Sequence, residues 1–205
     1  MTSGIILAAG ASFRMGSPKA LLNAGQKTFL GHIGSLLANS GIVDIIVVLG
    51  ADAETIRGSI TTFPGTVVVN EHWTNGQLSS LRAGLDVAVQ HSADHILVWP
   101  VDRPLVRQQT LTSIIAASAA NSSSMIVPTC RNRRGHPVIF PENYFGALRD
   151  APLDTGARYV VRKYADAVFE FETEDEGILL NIDTPETYHQ IAARFFQNPS
   201  GKSSP

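Results

Sequence analysis

The chain has 205 residues and a mass of 22.0 kDa, with 44% hydrophobic and 17% charged residues; this excludes a disordered chain and suits one domain able to bury roughly 70% of its unfolded surface without a covalent staple. Its single cysteine, Cys130, excludes an intramolecular disulfide framework and a cysteine-cluster metal site. Sixteen Lys+Arg against eighteen Asp+Glu, −2 overall, lacks the basic excess of a duplex nucleic-acid binder, and no apolar run nears the roughly 18 residues of a membrane helix.

The N-terminal run Ile5-Ile6-Leu7-Ala8-Ala9 lacks a basic leader and is too short for a signal peptide. It reads as a first buried strand, and the chain as a cytoplasmic enzyme or ligand-binding protein. Further short, β-branched, unalternating runs fall at 42–49, 66–69, 95–99 and 125–128, the pattern of strands buried on both faces. Helix-period segments lie between them at 29–39, 53–60, 78–90 and 107–120. This alternation predicts a Rossmann-like, three-layer α/β/α fold with a mostly parallel central sheet. After residue 128 the pattern changes. A basic loop (Arg131, Arg133, Arg134) leads to a strand at 137–140 and helices at 142–149 and 157–164. A strand pair is expected at 168–172 and 177–180. A last helix fits 185–196, with Asp183 or Thr184 as its cap and Pro185 at its first position. The expected organisation is a single domain over 1–197, with a ligand-binding half at about 1–128, a second half at about 129–197, and a flexible tail over 198–205.

In an open α/β sheet, ligands bind beyond the carboxyl ends of the strands. After the first strand comes LAAGASFRMGSPK, residues 7–19. Its small residues allow close backbone approach. Its successive N–H groups can nest an anion, and Arg14 and Lys19 add loop cations, read as exposed, for phosphate. It is neither a P-loop (GxxxxGK followed by Ser or Thr) nor a GxGxxG dinucleotide turn; an ordinary Gly/Ser turn is the plainer alternative. After the third strand, Gly76 to Ser80 runs into a helix N-terminus, which offers N–H groups to a ligand or merely caps itself. Asp102, ending the fourth strand, is placed to hold Mg²⁺, or is a turn residue between two prolines. Asp183 is either a second oxygen ligand near Asp102 or a helix cap. His136, Arg134 and Arg158 could meet a phosphorylated substrate, or be structural and solvated.

Taken together, these motifs resemble the MobA-like nucleotidyltransferases, and most closely their molybdenum cofactor cytidylyltransferase branch, whose first motif reads LAAGxSxRMGxxKxLL. The later motifs follow in order: NEHWTNGQLSSLRAGL, PVDRPLV, GHPVIF and DTPE. The resemblance implies transfer of a nucleoside monophosphate from an NTP to an acceptor phosphate, with Mg²⁺ as cofactor and pyrophosphate released. By similarity, Ala8, Ala9 and Gly10 approach base and ribose, and Gly76, Ser79 and Ser80 close on the nucleoside. Arg14 and Lys19 hold the triphosphate and Asp102 holds the metal. Arg134, His136 and Arg158 would face the acceptor, expected to be molybdopterin. Where the family commonly reads DIDTP, this chain has Asn181-Ile182-Asp183, and asparagine can still coordinate through its carbonyl. LAAG accompanies cytidylyl transfer and LAGG guanylyl transfer in the family, so Ala9 points to CTP. A sugar-phosphate or polyol-phosphate acceptor is the alternative within enzymes. A non-catalytic nucleotide-binding maturation partner is the alternative outside them.

Overall fold

The structure is a computed structural model and describes residues 1–61, 63–192 and 195. Strand β1 (Thr2–Ala8) is central, with parallel neighbours on both sides. A small hairpin, β2 (Asn23–Ala24) and β3 (Lys27–Thr28), precedes α1 (Phe29–Asn39), β4 (Asp44–Leu49), α2 (Ala53–Ser59) and β5 (Thr66–Val69). Then follow α3 (Gln77–Gln90), β6 (His95–Pro100), α4 (Gln108–Ala120), β7 (Met125–Cys130), β8 (Arg133–Arg134) and β9 (Val138–Pro141). Helices α5 (Phe145–Asp150) and α6 (Arg158–Lys163), strand β10 (Val168–Glu172) and helix α7 (Pro185–Ile191) complete the order. The main sheet runs β10-β7-β9-β6-β1-β4-β5, with β8 paired to β7. Pairing is parallel except where β9 lies antiparallel between β6 and β7, and where β8 meets β7.

The unalternating apolar runs are explained by two cores, one on each face of the sheet. Along β1, Ile6 and Ala8 face a core shared with Phe29, Leu30, Ile33 and Leu37 of α1 and Leu111 and Ile114 of α4. Ile5 and Leu7 face the other, with Leu81 and Leu85 of α3, Leu148 of α5 and Val160 of α6. Because side chains alternate along a strand, a strand covered on both faces is apolar at nearly every position; Ser3, wholly buried in β1, donates its hydroxyl to Asp44 Oδ2. Helix α3 lies so close that a Cβ on Gly84 would stand 2.7 Å from Ile5 Cγ2.

One expectation is corrected and one alternative is resolved. Residues 177–180 do not form a strand beside β10, whose partner is β7. Glu176–Ile178 is instead a 3₁₀ turn, capped by the Asp175 side chain accepting from Gly177 N–H. The chain is pressed there against the loop after β6, where a Cβ on Gly177 would stand 2.1 Å from Leu105 O. The cap of α7 is Thr184, which accepts from Thr187 N–H, so Asp183 is not used for capping. The predicted continuation of that helix through 196 and the tail 198–205 lie outside the described residues, apart from 192 and 195. Among the described residues, no helix is long and apolar enough to cross a membrane.

Candidate active site

The carboxyl ends of β1 and β6 lie side by side, with Leu7 registered on Pro100. The loops leaving them, with the turn between β5 and α3, line a cavity of about 340 Å³ whose wall includes Ala8, Ala9, Gly10, Lys19, Trp73 and Asp102. Ala8 and Ala9 are buried and present little besides backbone. A Cβ on Gly10 would meet nothing within 4 Å, so the missing side chain leaves open space for a ligand. The predicted anion nest is smaller than the loop's length suggests: Met15 and Gly16 N–H turn inward to Ser12 O, at 2.8 and 3.2 Å. Lys19 N–H donates to Ser12 Oγ at 3.2 Å, folding the loop back so that Lys19 enters the cavity.

The two loop cations differ. Arg14 is largely exposed, with a side chain 70% accessible that reaches Asp183 Oδ2 at 3.3 Å. Lys19 is only 14% accessible, so it is not the exposed cation expected. Its ammonium lies between two carboxylates, hydrogen-bonded to Asp183 Oδ1 and 3.6 Å from Asp102 Oδ2. Ile182 N–H donates to Asp102 O at 2.8 Å, bringing residues 80 positions apart in sequence together. Asn181 Nδ2 donates to Asp183 Oδ2 at 2.6 Å and so orients that carboxylate. Burial pushes the Asp102 carboxyl above its ordinary value, against the opposing charges of Lys19 and Arg103. For Asp183, burial acts upward too, but the hydrogen bond and charge of Lys19, with Arg14 and Arg103, outweigh it and hold the carboxyl low.

Asp102 Oδ1 is buried without a hydrogen-bond partner. An orphaned carboxylate oxygen beside a second carboxylate, the two sharing one ammonium, is a donor set that suits a hard divalent cation. Among the described residues, no cluster of three or more His, Cys, Asp or Glu forms a metal site. The candidate cation site therefore rests on these two acids and neutral oxygens.

A second cavity of about 640 Å³ shares Leu7, Thr74, Gly76, Gln77 and Pro100 with the first, and holds Arg134, His136 and Arg158 in its wall. The three predicted acceptor-side residues are thus brought together, over an apolar floor that includes Val98, Val127 and Phe140. Arg134 pairs with Glu170 at 2.8 Å, and Arg158 Nε donates to Thr155 O at 2.9 Å. Burial, helped by the charge of Arg103, lowers His136 from 6.5 to about 4, so its ring is neutral at neutral pH. An unfolded chain takes up that proton near 6.5 and the folded one only near 4. Stability contributed by the neutral ring is therefore lost as pH falls through this window, by about 3 kcal/mol in all. His136→Gln should flatten the fall in urea-unfolding free energy between those two pH values. A slope equal to the parent's would contradict the burial argument.

Gly76, φ 96°, is the hinge from the turn into α3 and lines both cavities. Ser80 is buried and lines the first cavity, while its Oγ accepts from Asn70 Nδ2 at 3.0 Å. Ser79 is not in either cavity wall; its hydroxyl donates to Gly76 O (2.8 Å) and His72 O (3.0 Å) and accepts from Asn70. Of this pair, Ser79 braces the turn and Ser80 faces the cavity. Sequence reasoning missed Gln77 and Arg162, which line cavity walls, and Arg103. The i, i+4 spacing of Arg158 and Arg162 on one helix could have indicated the second.

The profile of the MobA-like NTP transferase domain matches residues 4–168. Nicotine blue oxidoreductase from Paenarthrobacter nicotinovorans is 32% identical over 197 residues, 92% of this chain and 95% of that protein. Molybdenum cofactor guanylyltransferase from Shewanella sp. (strain MR-4) is 27% identical, over 95% of this chain and 96% of its own length. Among solved structures, Rv0371c from Mycobacterium tuberculosis superposes with TM-score 0.80 at 29% identity, covering 94% of this chain and 97% of that one. Its complex with manganese superposes with TM-score 0.75 at 28% identity, covering 96% and 98%.

Proposed function

The chain belongs to the MobA-like NTP transferase domain family, and from that premise we propose that it moves CMP from CTP to a phosphorylated acceptor of molybdopterin type, using Mg²⁺ and releasing pyrophosphate. The observation that carries this reading is Lys19 between Asp102 and Asp183, in the wall of a cavity of about 340 Å³ that shares lining residues with a larger one holding Arg134, Arg158 and Arg162. Asp102 and Asp183 would hold the cation, with Asn181 orienting Asp183 or adding its carbonyl. A divalent cation bound there supplies neutralisation of triphosphate charge.

The remaining chemistry belongs to the chain's own residues. Lys19 exchanges its carboxylate partners for phosphate oxygens as the triphosphate enters, and Arg14 approaches the same phosphates from solvent. The Gly10 backbone admits the nucleotide closely. An acceptor phosphate is already ionised at neutral pH, so its oxygen attacks the α-phosphorus without a general base. The bond from that phosphorus to the β-phosphate bridging oxygen breaks, and pyrophosphate leaves with the electron pair. Arg134, Arg158 and neutral His136 would orient the acceptor, whose ring system would lie on the apolar floor. The half at about 1–128 would thus serve the nucleotide and the half at about 129–197 the acceptor, in a cytoplasmic enzyme.

The base assignment rests on Ala9, buried at the cavity wall and backed closely by Gly50, where a Cβ would stand 2.9 Å from Ala9 Cβ. On this reading its methyl would take space that a purine's second ring would need, and one methyl in a tight pocket discriminates by roughly 1–3 kcal/mol. Ala9→Gly should narrow the preference for CTP over GTP without inverting it. The check is kcat/KM for both nucleotides, with Mg²⁺ and one fixed acceptor. GTP preferred by the parent would overturn the cytidylyl assignment and match the guanylyltransferases among the relatives.

A second reading comes from the relative at 32% identity, whose name is that of an oxidoreductase. The apolar floor of the second cavity suits a planar heteroaromatic substrate as well. The same assay with a reduced nicotinamide nucleotide and a planar heteroaromatic electron acceptor, followed by the nicotinamide absorbance, distinguishes the two.

A further inference from the structure

Arg103 follows Asp102 in the loop after β6 and lines neither cavity. Its backbone is fixed on both sides: its N–H donates to Pro100 O at 3.2 Å, and the wholly buried Trp99 donates Nε1–H to its carbonyl at 2.9 Å. Its guanidinium Nη1 donates to Ile178 O (3.3 Å) and Leu179 O (3.1 Å). Ile178 O also accepts from His136 N–H at 3.0 Å, and four residues further on Ile182 N–H donates to Asp102 O at 2.8 Å. The segment 178–183 is thus tied to the loop after β6 at both of its ends, and Asp183 emerges from it facing Lys19. There is little slack: a Cβ on Gly135 would stand 2.4 Å from Ile178 O.

We infer that Arg103 is a positioning residue for the acid pair: by pinning the carbonyls of Ile178 and Leu179, it holds Asp183 on the same Lys19 ammonium that Asp102 faces, where the two acids could share a divalent cation. The inference rests on the proposed reading of those two acids as the cation site. Its consequence is a division of labour between adjacent residues, Asp102 touching the ion and Arg103 holding the segment that brings the other acid to it. Partners that orient metal ligands typically matter by 10–100-fold in metal affinity.

The test is Mn²⁺ binding by electron paramagnetic resonance on the full chain, with and without CTP, well below the unfolding midpoint. Arg103→Met should weaken Mn²⁺ binding about tenfold or more. Arg103→Lys keeps the charge but not the planar fork that spans two carbonyls, so it should fall between Met and parent. Parent-like Mn²⁺ affinity in both folded variants, or in the Lys variant alone where the Met variant does not fold, overturns the inference and leaves the cation site standing. A lowered unfolding midpoint with unchanged Mn²⁺ affinity does the same, because a merely structural role moves only the midpoint. A parent protein that binds no Mn²⁺ in either state overturns the cation site, and the inference with it.

Discussion

Asp102→Asn should retain the fold and lose turnover by about 100-fold or more, the scale of removing one preorganised charge from a reaction that stabilises developing charge. The two effects have opposite signs for the same reason. Burial raises the Asp102 carboxyl, so the folded chain binds its proton more readily than the unfolded one. Any stability tied to this group is present at low pH and is lost as pH rises through the raised folded value. At neutral pH the ionised carboxylate is therefore a cost to folding, and the neutral amide, nearly the same shape, relieves it. Turnover depends on that charge, and the amide offers a divalent cation only a weaker neutral oxygen. The variant should thus be at least as stable as the parent in urea at neutral pH, and severely slowed when assayed at sub-saturating Mg²⁺. Near-normal turnover under those conditions would remove Asp102 from the site.

Lys19→Ala should also lower turnover by about 100-fold, but here stability falls with it. The sequence suggests an exposed loop cation, for which a folding contribution under about 1 kcal/mol is normal. The structure places the ammonium between two half-buried carboxylates, with only 14% of the side chain accessible. Removing one partner of a fully buried pair costs about 3–5 kcal/mol, so a site of intermediate burial should lose about 1–3 kcal/mol. The pH dependence identifies the cause. The Asp183 carboxyl is held low by Lys19 against burial. Its contribution is present above its unfolded value and is lost as pH falls through its folded one. Parent and variant should therefore differ in urea at neutral pH and converge in acid. Equal stability at neutral pH, with parent-like turnover, would place Lys19 outside the site.

The layered fold was legible because strands buried on both faces are apolar at nearly every position, with a buried exception such as Ser3 satisfied by a hydrogen bond to Asp44. Ile5 and Ile6, which face opposite cores, carry that signal in two adjacent letters. What could not be read is what distance in sequence conceals. The run at 177–180 is apolar enough for a strand, yet Gly177 fits against Leu105 O and makes a turn of it. The first-motif residues were legible as a loop with cations, but not that Lys19 is enclosed and Arg14 exposed, since the loop's fold depends on hydrogen bonds to Ser12. Ser79 and Ser80 are identical letters side by side, and helix geometry sends one to a backbone brace and the other to the cavity. Arg103 gives no sign in its own motif, because its partners are carbonyls some 75 residues away, which any residue type supplies.

The most direct test of nucleotidyl transfer is phosphorus stoichiometry. The protein is incubated with CTP, Mg²⁺ and a phosphorylated acceptor such as molybdopterin, and the products are followed by phosphorus-31 NMR. One pyrophosphate should appear for each new phosphoanhydride joining CMP to the acceptor, with no orthophosphate. Orthophosphate in place of pyrophosphate would mean attack at the γ-phosphorus. Intact CTP alongside oxidation of an added reduced nicotinamide nucleotide by an added heteroaromatic electron acceptor would mean a different reaction altogether, and either result would contradict transfer at the α-phosphorus.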